Sequence, residues 1–462
     1  MLPNPSNRSP WLHYTPRNRS VVKLKQDQQV NIAVVGAGIA GITTAYFLLK
    51  HTSLPQIALV EAGRAAHGAS GHNGGFLATY FERSFRGLAA EFGLQAAAEA
   101  QRDLDTAWDL LDEILLDTQI SVPIYKFTGY SAIKTKAQVL GFLEDNHLKA
   151  AGGLSIEPLL IAESVSWREQ IPAKYDPYFS FAKQSDILDL LQSKDDSYIA
   201  LLQSRKGASN SALLCELLVE WMLKRYPERL QLFEQTKIDE VILESNQAKL
   251  RSQDNHTLIA EKVILCTNGF EHFDITNLAG QELNHKFHYL VRGIVGYMAG
   301  YLEERVVAPI EISYLPELQQ TAKDIFTEEE YFYLTRRPVE HLKQEHTLVC
   351  LGGPETLLED TAHYQHGAVY PKFALKKFNE FLEKTYQLKK RDHLDYQFLW
   401  HGLMGFTPNG VRLVGPEPYN PILYYNLGCN GVGLLPSIFG GRKIARFIAG
   451  EELPPSIFDP KR

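Results

Sequence analysis

Gly36, Gly38 and Gly41 in "VVGAGIAG" spell G-x-G-x-x-G directly after an apolar run. Glycines so spaced let the main chain approach a pyrophosphate, and a helix starting there offers it unpaired N–H groups and a partial positive charge. Glu61 follows at the end of "QIALV". A carboxylate there accepts both ribose hydroxyls of an adenosine, and Glu rather than Arg disfavours a 2′-phosphate. Together these residues describe a dinucleotide site; the competing reading is a glycine-rich turn in an ordinary buried βαβ unit.

To position that chemistry the chain needs strand, turn, helix: a strand over 32–35, the turn over 36–41 and a helix from Ile42 to Lys50. The same stretch carries no charge between Ile32 and Leu49, which is nearly the length of a bilayer span. Its three glycines exclude that reading, each weakening a helix centre by about 1 kcal/mol. A second short strand over 56–60 then delivers Glu61, and the small-residue loop "AGRAAHGASGHNGG" has the composition to wrap a phosphate or ribityl chain with backbone N–H groups.

With 462 residues, 45% of them hydrophobic, the chain can bury two cores. A net charge of −7 spread along the chain argues against nucleic-acid binding. Cys215, Cys266, Cys350 and Cys429 are far apart and form no C-x-x-C pair, so free buried thiols and a cytoplasmic location are expected, with no metal set. Residues 1–29 lack the apolar core of a secretory signal and read as a tail laid over the folded body, a transit-like extension being the alternative. No second G-x-G-x-x-G follows an apolar strand, so one dinucleotide is expected.

Further along, residues 88–120 read as one long amphipathic helix and 139–150 as another. Ser211 is placed to cap a helix reaching Lys224. "LQLFEQTKIDEVILES" offers two strands, and "KLRSQDNHTLIAEKVILCTNGF" a hairpin followed by a buried strand over 262–266. "HYLVRGIVGYMAG", "EYFYLTRRP" and "HTLVCLGGPET" read as antiparallel strands and 371–387 as a helix, before "YYNLGCNGVGLLPSIFGGRKIARFIAG" repeats strand, glycine turn, helix.

The ordered blocks "VVGAGIAG", "VEAGRAAHGASGHNGG", "VILCTNGF", "WHGLMGFTPNGVRLVG" and the C-terminal glycine turn with its helix resemble the FAD-dependent amine and amino-acid oxidases of the D-amino-acid oxidase superfamily. The pattern is most similar to the glycine oxidase, sarcosine oxidase and gamma-glutamylputrescine oxidoreductase branch. The resemblance implies a fold of α/β and α+β character: a discontinuous Rossmann-like FAD-binding domain with a substrate domain on a large mixed, mainly antiparallel sheet. The segments expected are 30–120, 203–275 and 396–462 for FAD, and 121–202 and 276–395 for substrate. Gly36, Gly38, Gly41 and Glu61 take the roles given above. The resemblance assigns Ser70, Asn73, Gly74 and Gly75 to the path towards the flavin, Ile238, Thr267 and Asn268 to the adenine side, and Gly431, Val432 and Gly433 to the pyrimidine edge of the ring. His72, Val432, Asn409 and Arg412 depart from the family pattern. His72 raises a covalent flavin link, though non-covalent FAD is the expectation.

The implied reaction oxidises a C–N bond of an amine or amino acid to an imine by hydride transfer to flavin N5, with electrons passed to oxygen and hydrogen peroxide released. A dehydrogenase passing them to a quinone or carrier protein, and a flavin-binding protein without turnover, are the alternatives. Such chemistry asks the protein to orient substrate and exclude water. A bidentate arginine suits a substrate carboxylate. Arg336, Arg337 and Arg292 are the candidates, with Tyr333 and Trp400 as walls; against these stand surface ion pairs for the arginines and core packing for Trp400.

Overall fold

The opening apolar run is a strand, Gln28–Val35, and the helix after it, Ile39–His51, begins three residues earlier than the glycine pattern suggests. Gly41 therefore lies inside the helix's first turn. Every residue from Ile39 to Leu49 is buried, because this helix lies between the sheet and the C-terminal helix Leu434–Ile448. That burial on all sides accounts for the uncharged run. Close approach of the two helices depends on Gly441, where a Cβ would stand 2.7 Å from the Thr44 amide nitrogen. In this computed structural model residues 7–316, 331–387 and 394–461 are described, and among them no helix is long and apolar enough to cross a membrane.

Gln28–Val35 pairs in parallel with Ile57–Val60 on one side and Thr257–Leu265 on the other. Leu230–Phe233 and Asn420–Leu427 extend the parallel set outward, completing a nine-stranded sheet with four further strands. The strand Thr257–Leu265 is both the second arm of the expected hairpin and the buried strand after it: it pairs antiparallel with Ala248–Ser252 at its start and runs on without a break.

A second sheet of ten strands is mixed and mainly antiparallel, with parallel pairing confined to two of its contacts, Ile310–Tyr314 with Ile124–Ile133 and Leu159–Ala162 with Phe179–Ala182. Arg292–Glu303, Phe332–His341 and Gln344–Leu357 are its central antiparallel strands, as expected. Phe398–Phe406 pairs with Arg292–Glu303, so the chain crosses back to the first sheet after Phe406 and not near residue 396; Ala200–Ser209 likewise belongs wholly to the second sheet. The expected long helix is two, Phe85–Phe92 and Leu94–Thr118, broken at Gly93, whose φ of +87° no helix accommodates. Asn210, not Ser211, caps the helix Ser211–Arg225, its side chain accepting from the Leu213 amide. Glu330, first of the "EYFYLTRRP" stretch, and residues 1–6 of the N-terminal extension lie outside the described residues.

Residues 7–26 cover the body. Arg8 bridges to Leu399, Asn7 accepts from the His401 amide at 2.7 Å, and Trp11 is 2% exposed. Arg19, itself half-buried, then forms a fork with the buried Glu216 and Glu234.

Candidate active site

At the first turn Gly36 has φ +101° and its N–H donates to the Val60 carbonyl at 2.7 Å. A Cβ on Gly36 would stand 2.7 Å from the Cys266 carbonyl oxygen, and one on Gly41 1.8 Å from the Gly36 carbonyl oxygen. Neither position admits another residue. The Glu61 carboxylate accepts from the Ala37 and Gly63 amides, each at 2.8 Å. Burial pushes its pKa up while those two N–H groups draw it down, and the residue lines a cavity of about 840 Å³.

That cavity is bordered by Gly36, Gly38, Glu61 and Ser70, by Asn73, Gly74 and Gly75, by Ile238 and Thr267, and by Gly431, Val432 and Gly433. Gly41 is the one expected cofactor residue set behind the wall. Ser70 Oγ accepts from the Ile39 amide at 2.9 Å, tying the loop to the helix N-terminus. Asn73 braces the loop from within: its amide donates to the Ala69 and Ser70 carbonyls and to Ser211 Oγ, and its Oδ1 accepts from the Gly75 N–H at 2.6 Å. Thr267 Oγ1 is buried without a partner at the cavity wall. Asn268, at φ +55°, accepts from the Cys429 amide and so links the strand end to the C-terminal glycine turn.

Four of the five expected substrate residues are elsewhere. Arg336 points to the far side of its strand, ion-paired with Glu303 at 3.5 Å and bonded to Gln192. Arg292 is exposed at the start of its strand and borders a separate outer groove. Trp400 is fully buried and donates to the Asn73 carbonyl at 3.3 Å, so it holds the loop from behind the cavity wall. Arg337 is also structural: its guanidinium donates to the Gly74, Gly75 and Ser209 carbonyls. Tyr333 alone stands in the cavity, packed over Gly74, where a Cβ would meet its hydroxyl at 2.5 Å. Burial raises the Tyr333 phenol well above its ordinary value, so it is a donor and not a base.

Sequence reasoning missed Tyr80, Glu82, Lys206, Tyr331, Glu355 and Met404, which line the far half of the cavity. Parity along the strand was the available signal, since Tyr331, Tyr333 and Arg337 share one face and Arg336 takes the other. His72 is buried, its Nδ1 against the Gly68 carbonyl at 3.0 Å, and burial lowers its pKa to about 3, leaving a neutral imidazole at the wall.

A glycine turn on a parallel sheet, a carboxylate at the end of the next strand and one cavity running on to a mainly antiparallel sheet are the frame of a dinucleotide-dependent oxidoreductase. The chain belongs to the FAD dependent oxidoreductase family, whose model matches residues 31–447. The fold is shared with glycine oxidase from Geobacillus kaustophilus (15% identity, 94% of this chain and 99% of that one, TM-score 0.62). It is shared too with L-proline dehydrogenase from P. horikoshii (13%, 94% and 97%, TM-score 0.64) and with L-alpha-glycerophosphate oxidase from Mycoplasma pneumoniae (12%, 94% and 98%, TM-score 0.60). A Saccharomyces cerevisiae protein named as an oxidoreductase, TDA3, is 31% identical over 112 residues, 23% of this chain and 21% of the relative, so the chain spans about a fifth of that curated relative's length.

The residues present fit FAD, and Arg412 adds to the fit. It is 6% exposed, borders the cavity, and bonds only Asn426 and the Gly428 carbonyl, with no carboxylate partner among the described residues. Burial brings its pKa down to about 10, the sign of a cation held without a counter-charge. Bound FAD, through its anionic pyrophosphate, would supply that charge. Arg412→Met is therefore expected to weaken FAD binding at least about tenfold, about 1.4 kcal/mol, without lowering the stability of the apoprotein. Quenching of FAD fluorescence on titration with apoprotein measures this; an affinity unchanged from wild type would remove Arg412 from the cofactor site.

Proposed function

We propose that the chain oxidises a C–N bond of a small amine or amino acid to an imine, with oxygen as the electron acceptor and hydrogen peroxide as its product. Continuity of the cavity carries the reading: one space runs from Glu61, past the Gly431–Gly433 turn, to Tyr333 and Glu355, so a small molecule can lie against the reacting end of the cofactor. FAD, when bound, supplies the two-electron acceptor for the C–H bond broken. The protein orients the substrate and excludes water, a contribution that needs no nucleophile. Gly431, Val432 and Gly433 lie ahead of the helix Leu434–Ile448 and are assigned to the edge of the ring where negative charge collects on reduction. Catalytic roles are proposed for Tyr333 alone among the residues first considered, as a wall and hydroxyl donor. Attachment of FAD is proposed as non-covalent, His72 being committed to Gly68 at Nδ1.

Both an oxidase and a dehydrogenase of C–N bonds share this fold, so the acceptor is tested directly. Holoenzyme titrated without oxygen is expected to lose its flavin absorbance with an amine or amino acid and to regain it quickly on admitting oxygen. Slow return of colour assigns the electrons to a quinone or carrier protein; colour that survives every amine and amino acid ends the C–N reading.

A further inference from the structure

The half of the cavity beyond the cofactor turn has a charge pattern that selects its occupant. Glu82 lies against Gly431, where a Cβ would stand 2.9 Å from the Glu82 Cγ and 3.1 Å from its Oε1. Glu355, on the strand Gln344–Leu357, opens into the same space. Neither carboxylate has a hydrogen bond or ion pair among the described residues. The cations around them are engaged: Lys206 with Glu311 at 3.4 Å, Arg83 with Glu91 at 2.8 Å and Arg86 with Asp145 at 3.0 Å. Lys149 pairs with Glu157 and Lys237 with Asp239, while Arg412, without a carboxylate partner among the described residues, is the cation assigned above to the cofactor.

The walls they share include aromatic rings. Tyr331 and Tyr333 have ring centroids 5.7 Å apart, and Phe76 meets Tyr333 edge-on at 5.4 Å. The Lys206 ammonium already sits 4.3 Å from the Tyr80 ring centre, so this lining accepts a cation over a ring face. Two partnerless carboxylates in a confined space are costly until a cation joins them, and an arriving carboxylate meets repulsion from both. Among the described residues none of the arginines first considered as a clamp for an amino acid's carboxylate lines this space, and two carboxylates do.

We propose that the substrate of this site is a cationic amine with no carboxylate and with a second positive charge, one charge held at Glu82 beside the cofactor turn and the other at Glu355. The tyrosine rings sheathe the alkyl chain between them. This rests on the C–N oxidation proposed above. Burial raises both carboxyl pKa values to about 7, Glu355 further through its neighbour Glu82, as two carboxylates awaiting a counter-ion should be. Lys206 opposes that rise at Glu82 and Glu311 adds to it.

The test uses FAD-loaded enzyme without oxygen and 1,4-diaminobutane, glycine and N-methylglycine as probes, following both the perturbation and the loss of flavin absorbance. The diamine is expected to bind at least tenfold more tightly than either amino acid, and Glu82→Gln and Glu355→Gln, with FAD content unchanged, each to weaken it at least tenfold. Tighter binding of the amino acids, or diamine binding unchanged in both variants, overturns the proposal. Diamine that binds in this manner yet never bleaches the flavin upholds the cationic site and removes the C–N oxidation reading. Bleaching by the amino acids with no diamine binding does the reverse.

Discussion

Gly41→Ala is expected to yield a protein that retains FAD at least about 1,000-fold less tightly, about 4 kcal/mol. The added Cβ would stand 1.8 Å from the Gly36 carbonyl oxygen, and that atom cannot step aside. Gly36 is pinned from behind by its N–H bond to Val60 and has the Cys266 carbonyl within 2.7 Å of its own Cβ direction. The helix must move instead, carrying Ile39 away from Ser70 Oγ and the first-turn amides away from the place they serve. Those amides act on a pyrophosphate only while they converge, so a displacement of an ångström at the turn removes most of the binding. Gly367→Ala, where a Cβ meets nothing within 4 Å, is the matched control and should keep wild-type affinity. Absorbance ratio after purification and FAD titration of the apoprotein measure both. Wild-type FAD retention in Gly41→Ala would falsify the role given to the helix–turn contact.

The cofactor half of the site was legible in the sequence because its constraints are local. A glycine at 36 or 41 reports a main-chain approach within a few residues, and Glu61 follows at the end of the next strand. The substrate half was not, because Glu82, Lys206, Tyr331 and Glu355 come from separate segments, two on strands and two in irregular chain, that meet only in the folded molecule. "YLTRRP" shows the difference. Arginine was the right residue type for a clamp, yet Arg337 spends its donors on the Gly74, Gly75 and Ser209 carbonyls and Arg336 faces the opposite side of the strand. Alternation could have separated the two arginines; nothing local could have revealed that the partner of one was a loop carbonyl. The strand Phe398–Phe406 eluded the segment boundaries for a similar reason, since its apolar run suits burial in either sheet and only its register with Arg292–Glu303 decides.

Trp11→Ala is expected to cost about 3 to 5 kcal/mol of stability and to hasten FAD loss, although residue 11 stands outside every recognisable motif. The indole is 2% exposed and donates from Nε1 to the Asn73 carbonyl at 2.5 Å, the same carbonyl that Trp400 reaches at 3.3 Å. Its ring meets Trp400 edge-on at 6.4 Å and carries the Arg337 guanidinium 4.6 Å from its centre. Ser9 adds a bond to the Gly71 carbonyl at 2.5 Å. The N-terminal segment thus grips, from outside, the same loop whose other side is assigned to the path towards the flavin. Truncation leaves a cavity beneath that loop and takes the ring from a buried arginine that has no carboxylate partner among the described residues. Trp11→Phe separates the two contributions, keeping an aromatic ring near Arg337 while deleting the N–H; about 1 kcal/mol is expected from the lost bond, plus a smaller packing loss. Urea unfolding of apoprotein and holoprotein reads stability, and stopped dilution of holoprotein reads FAD release. If Trp11→Ala unfolds at the wild-type urea midpoint and releases FAD at the wild-type rate, the segment is a passenger on the surface and the loop holds itself.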